Sequence, residues 1–206
     1  RTEVNEVTKM NKLFKFLFVF IALAFSFNTN ALTVNELSAL LQKDANFKAS
    51  YKQEKTLNKL NKILKSSGVV IIIENKNVFF RQNTPFELEQ IISPNRFAQI
   101  MDDEINEITR DNNPQLFEIS NLLLNIFSMN EVNEKYFSYK LSGNLNNWTI
   151  EMKPNDELLS KIFNKITIQG SDKVKEIVIE DVSKDTTKLT FSDYRTDKIT
   201  LNVKEQ

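Results

Sequence analysis

From residue 47 onward the chain is a succession of short β-branched and aromatic runs, each cut off by Asn, Asp, Ser, Gly or Pro. Clear helical spacing occurs in two places, around 34–43 and 114–129. That proportion predicts many antiparallel strands with few helices to cover them. A sheet so placed either stacks on a second sheet or curls around its helices. The expected class is mainly β with helices, an α+β domain.

Thr33 followed by Glu36 is a capping box, and Val34, Leu37, Leu40 and Leu41 follow at helical spacing, so a helix is expected over 34–43. Strands are expected over 47–56, 69–73, 78–82, 86–93, 96–101 and 104–110, with Pro85 and Pro94 as breaks. Asn113 then caps a helix with Pro114 at its first position, and Leu116, Ile119, Leu123, Ile126 and Phe127 form its apolar face. Further strands are expected over 136–142, 148–153, 162–169, 174–182, 186–194 and 198–203, with one helical turn after Pro154. The lysine- and asparagine-rich segment 57–66 fits either a short helix or a long polar hairpin.

Residues 10–31 read as a cleavable export signal. Lys12 and Lys15 give a positive start, 13–27 is apolar, and Thr29 and Ala31 occupy the −3 and −1 places of a small-residue cleavage site. The competing reading, an uncleaved anchor, needs about 20 apolar residues, and Asn28, Thr29 and Asn30 end this run early. Residues 1–9 precede Met10 and read as upstream sequence. The expected division is thus 1–9 upstream, 10–31 signal peptide and 32–206 a single domain, working in the periplasm.

Composition removes most chemistry. With no histidine and no cysteine, neither a Ser-His-Asp or Cys-His arrangement nor a His/Cys metal site can be built, and three glycines cannot make a phosphate-cradling loop. Basic and acidic residues balance at 27 each, so nothing suggests a nucleic-acid partner. Asp102-Asp103-Glu104 reads as a polar turn rather than a cation site, and Glu87 and Glu89 as a solvated strand face. Neither enzyme activity, cofactor nor metal is expected. A lipid-anchored protein would carry a cysteine after its leader, so this chain is not expected to be a lipoprotein.

Several short motifs occur in a telling order. Phe47-x-Ala-Ser-Tyr51-x-Gln53 is followed by Ser67-Gly68 opening a hydrophobic strand, then by Val78-Phe-Phe80-x-Gln ending in Thr84-Pro85. Leu141-Ser-Gly143, Met152-Lys-Pro154 and the closing hairpins of 166–194 come after. Together they resemble the LolA family of periplasmic carriers that move lipoproteins to the outer membrane, and the chain looks like a divergent member. The resemblance implies an unclosed, highly curved antiparallel β-barrel with a helical lid. It also implies a cargo of lipoprotein acyl chains or another envelope lipid. The implied partners are a releasing transporter at the inner membrane and a receptor at the outer membrane, served by a monomer without stable membrane insertion.

On that reading Val70, Ile72, Val78 and Phe80 form a cavity-lining strand face, opposed by Leu37, Leu40, Leu123 and Phe127 of the lid. Ordinary core packing accounts for the same residues equally well. Where the family has a lid-tethering arginine, this chain has Glu74, so the latch must differ; a lysine of 52–65 paired with Glu74 would restore it in reversed polarity. The alternative function is a lipoprotein-sensing regulatory domain of the same fold.

Overall fold

The computed structural model describes residues 32–196 apart from 45, 75–76, 95, 110, 113, 115–116 and 118–135. All of the described residues belong to one compact unit, Leu32–Gln206.

An eight-residue helix, α1 (Val34–Leu41), opens the unit. Thr33 and Glu36 form the expected box: the threonine hydroxyl accepts from the Glu36 N–H, and the Glu36 carboxylate accepts from the Thr33 N–H at 2.9 Å. Two long strands follow, β1 (Phe47–Leu57) and β2 (Lys62–Ile73), joined by a 3-10 turn at Asn58–Leu60. Segment 57–66 is therefore the long polar hairpin, not the helix. Residue Leu57 pairs with Lys62, and the Asn58 N–H and side chain bond across to the Asp185 carboxylate and the Lys184 carbonyl.

The next strands are β3 (Asn77–Thr84), β4 (Leu88–Ser93), β5 (Arg96–Met101) and β6 (Glu104–Ile108). Asp102 and Asp103, both at positive φ, make the two-residue turn between β5 and β6, as the polar-turn reading expects. After 109–136 come β7 (Phe137–Asn144), β8 (Asn147–Pro154), the single turn α2 (Glu157–Ser160), β9 (Phe163–Gly170), β10 (Val174–Asp181) and β11 (Thr186–Arg195). Asp156 caps α2 by accepting from the Leu158 and Leu159 N–H groups, which explains why a turn forms after Pro154. The strand expected over 198–203 and most of the helix expected over 114–129 lie outside the described residues; Pro114 and Phe117 are helical.

All eleven strands form one antiparallel sheet in the order β6-β5-β4-β3-β2-β1-β11-β10-β9-β8-β7. Two meanders, β1 to β6 and β7 to β11, are thus sewn together where β1 pairs with β11. Among the described residues the sheet is unclosed, with β6 and β7 as its edges, and open sheets of about this many strands curl rather than stay flat. This is the architecture that the strand-rich pattern calls for.

One face carries the main core. Its lane runs without a break from Phe97 and Ile92 through Val78, Ile72, Val70 and Ala49 to Phe191, Leu189, Ile177, Ile168, Ile166, Ile150 and Trp148. Leu37 of α1 is fully buried against it. The other face of β2–β5 has a second buried cluster of Ile71, Phe79, Ile91, Ala98 and Ile100. Both faces of β2 are therefore buried at its far end, which is why 69–73 is a continuous β-branched run rather than an alternating one.

Candidate functional site

The four strand residues singled out from the sequence come together as two registered pairs. Val70 stands opposite Phe80, and Ile72 opposite Val78. Val70, Ile72 and Val78 are fully buried in the main cluster, and Phe80 is half-buried against it. Leu37 and Leu40 of α1 belong to the same cluster, so the first helix does oppose this face. Leu123 and Phe127 lie outside the described residues.

Tyr51, which sequence reasoning noted only as part of a motif, is the pivot of this region. It stands opposite Gly68 of β2, and its ring meets Phe80 of β3 edge-on, with centroids 5.4 Å apart at 82°. Gly68 leaves that lane open. A Cβ there would fall 1.9 Å from the Arg81 carbonyl oxygen, so β2 and β3 approach too closely for any side chain. Burial pushes the Tyr51 phenol above its ordinary value, keeping it neutral.

At the other end of the strands from the 58–60 turn, α1 is held by contacts that no local spacing announces. Asp44, just past the helix, pairs with Lys173 in the β9–β10 turn. Asn46 accepts a 2.7 Å hydrogen bond from the Glu74 N–H through its side-chain oxygen. Beside them Tyr194 packs on Phe47 at 5.4 Å and donates its hydroxyl to the Val174 carbonyl. Burial, with the Asp172 carboxylate second, drives the Tyr194 phenol far above the ordinary range. The Asp44–Lys173 pair joins residues 129 positions apart in sequence, beyond the reach of any local pattern.

Glu74 itself is exposed, at φ 54° in the β2–β3 turn. It meets the segment after α1 through its backbone, not its carboxylate. The lysines of 52–65 cannot supply the reversed tether. Even Lys52 pairs with Ser67, seven residues from Glu74, or about 23 Å along a strand, and Lys65 pairs with Glu54 at 2.8 Å. Glu89 also departs from expectation. It is not part of a solvated face but forms a partly buried cross-strand pair with Arg81 at 3.0 Å, because β4 turns that face toward the second cluster.

Cavities separate the two sides. A cleft of about 330 Å³ lies beside β3–β5, lined by Arg81, Glu87, Glu89, Asp102 and Asp103 among others; its charge is wrong for an apolar ligand. Under α1 the void bounded by Leu41, Phe47, Val70, Phe191 and Tyr194 measures about 20 Å³, room for roughly one water. Among the described residues, a ligand larger than one water enters this void only by displacing its lining. Among the described residues no acidic group of three or more is placed to hold a metal, and no helix is long and apolar enough to cross a membrane.

No family model and no curated protein matches the sequence. Among solved structures, the fold is similar to that of a LolA superfamily protein from Nitrosomonas europaea, at 9% identity over 82% of this chain and 96% of that one, with a TM-score of 0.46. A putative outer membrane lipoprotein-sorting protein domain from Vibrio parahaemolyticus is similar at 10% identity over 83% and 93%, with a TM-score of 0.46. The lipoprotein LppX of Mycobacterium tuberculosis is similar at 11% identity over 82% and 100%, with a TM-score of 0.40.

Proposed function

We propose that this protein is a periplasmic carrier that shields the acyl chains of lipoproteins, or of a related envelope lipid, and delivers them toward the outer membrane. In this reading 10–31 directs export and is removed, and the product is a monomer that catalyses nothing. It receives cargo from an inner-membrane transporter and passes it to an outer-membrane receptor. One observation carries the reading: among the described residues, an apolar sheet face reaching across eleven strands meets α1, an eight-residue helix that contributes a single fully buried side chain, Leu37. The ordered motifs shared with the LolA family support it.

The energetics favour such a device. Each CH₂ of an acyl chain removed from water is worth about 0.8 kcal/mol, so a chain of a dozen carbons can offset the loss of a cover worth a few kcal/mol. Burying Leu37 is worth about 2–3 kcal/mol, and an isolated helix of this length is marginal. Cargo and helix can then exchange for the same face at modest net cost. Val70, Ile72, Val78 and Phe80 would line the chain, with Leu37, Leu40, Leu123 and Phe127 on the lid and position 74 at the latch.

Dye displacement tests this. An environment-sensitive apolar dye should bind the folded protein and be released by a lipopeptide. Phe80→Glu should abolish that release with circular dichroism unchanged, while Glu151→Lys on the exposed side of β8 should not. A folded protein that takes up no dye has a solid core, and the reading fails.

A further inference from the structure

Exposed large hydrophobic side chains gather at one end of the strands. Leu60, Ile63 and Leu64 of the β1–β2 hairpin lie there, with Val182 of the adjoining β10–β11 turn and Phe86 and Met101 further along, whereas Leu145 is at the opposite end. The hairpin tip is the most exposed of these points: Leu60 keeps 70% of its surface open. Lysines surround it. Lys55 and Lys62 share the face of Leu64, Lys65 shares that of Ile63, and Lys59 sits in the turn itself. Glu54, paired with Lys65, is the sole acidic residue between positions 52 and 65, and Asp185 of the adjoining turn is engaged by the Asn58 N–H, so Lys55, Lys59 and Lys62 carry the positive charge of the hairpin. Hydrogen bonds from Asn58 to Asp185 and Lys184 fix the tip in place, so this is a built projection rather than a loose loop.

We propose that the β1–β2 hairpin docks the protein on an anionic phospholipid surface, with Leu60 and Ile63 entering the headgroup–acyl boundary and the lysines meeting lipid phosphates. Charge selects the occupant. An aliphatic tip alone would suit any apolar partner, but a tip flanked by Lys55, Lys59 and Lys62 on flexible stems matches a surface that is apolar beneath and negative above. The acidic residues near Phe86 and Met101, namely Glu87, Asp102 and Asp103, confine the contact to the hairpin side of this end. Docking does not depend on whether the interior holds a cargo chain, since its contact residues are at the strand tip.

The chain has no cysteine, so one introduced thiol gives a site-specific label. The full chain carrying Leu60→Cys, labelled with an apolar fluorophore, is titrated with vesicles of phosphatidylglycerol and phosphatidylcholine, and Leu145→Cys serves as the label at the far end. The label at 60 should shift to the blue while the label at 145 stays unchanged. Each lysine near such a surface is worth about a fivefold change in partitioning, so Lys59→Gln with Lys62→Gln should weaken it about 25-fold. Both changes lie in an exposed turn, and an unchanged circular dichroism spectrum confirms the fold. The proposal is overturned if neither label shifts, if both shift alike, if pure phosphatidylcholine gives the same response, or if the lysine substitutions leave partitioning unaltered. A tip that binds a protein rather than lipid would give the first of these results.

Discussion

Leu37→Ala separates a displaceable cover from a fixed part of the core. The side chain is completely buried, and Leu40 and Leu41 add partial contacts to the same cluster. Removing a buried leucine side chain generally costs about 2–5 kcal/mol. Among the described residues, α1 is docked by one full leucine at about 2–3 kcal/mol, two partial ones, the partly exposed Asp44–Lys173 pair at about 1 kcal/mol or less, and the Glu74 N–H bond to Asn46 at about 1 kcal/mol. The substitution should therefore consume most of the free energy that holds the helix down while leaving the strand ladders intact. Hydrogen exchange read by mass spectrometry should show amides of 34–41 losing about a hundredfold of protection, since 1.4 kcal/mol is tenfold. Amides of β1, β2 and β11 should keep theirs, and the melting temperature should hardly move. If α1 is instead part of one cooperative core, protection falls in every strand. The melting temperature then drops by about 2–4 °C for each kcal/mol lost, and the lid argument is wrong.

Acid should loosen the same helix. Hydrogen bonds from the Thr33 backbone N–H and then its hydroxyl hold the Glu36 carboxyl below its ordinary 4.5, so the stabilisation is present above that value and disappears as pH falls through the lowered folded-state value; dye uptake should accelerate there, and Glu36→Gln should flatten the profile. Gly170→Ala would place a Cβ 2.3 Å from the Lys173 carbonyl and 2.4 Å from the Trp148 ring, whose indole N–H donates to the Ser171 carbonyl at 2.6 Å. The emission of this sole tryptophan should move to the red and stability should fall by about 1–3 kcal/mol, whereas unchanged emission and melting would mean the turn yields freely. Glu74→Arg keeps the backbone bond to Asn46 and so keeps the fold, but offers guanidinium donors near the helix end. Stopped-flow dye uptake should slow severalfold, and an unchanged rate would make position 74 a solvated turn residue.

Local chemistry by itself determined the elements. The capping box at Thr33, the β-branched runs, the paired aspartates at 102–103 and the Asp156 cap each act within a few residues, and each forms where the pattern places it. The alternation of Val70, Ile72, Val78 and Phe80 also fixed which side chains share a face, because a strand has period two wherever it sits. Tertiary structure alone decided the rest. Pairing of β1 with β11 joins residues 130 or more positions apart, and no short-range preference encodes it. The second cluster made Glu89 a partner of Arg81 instead of a solvated residue, since burial of a face depends on what the whole sheet covers. The hold on α1 passes through Asp44, Asn46 and the Glu74 backbone rather than a charged side chain at 74. Such contacts are set by where distant turns meet once the sheet has curled, and that geometry is a property of the assembled ladder, not of any segment within it.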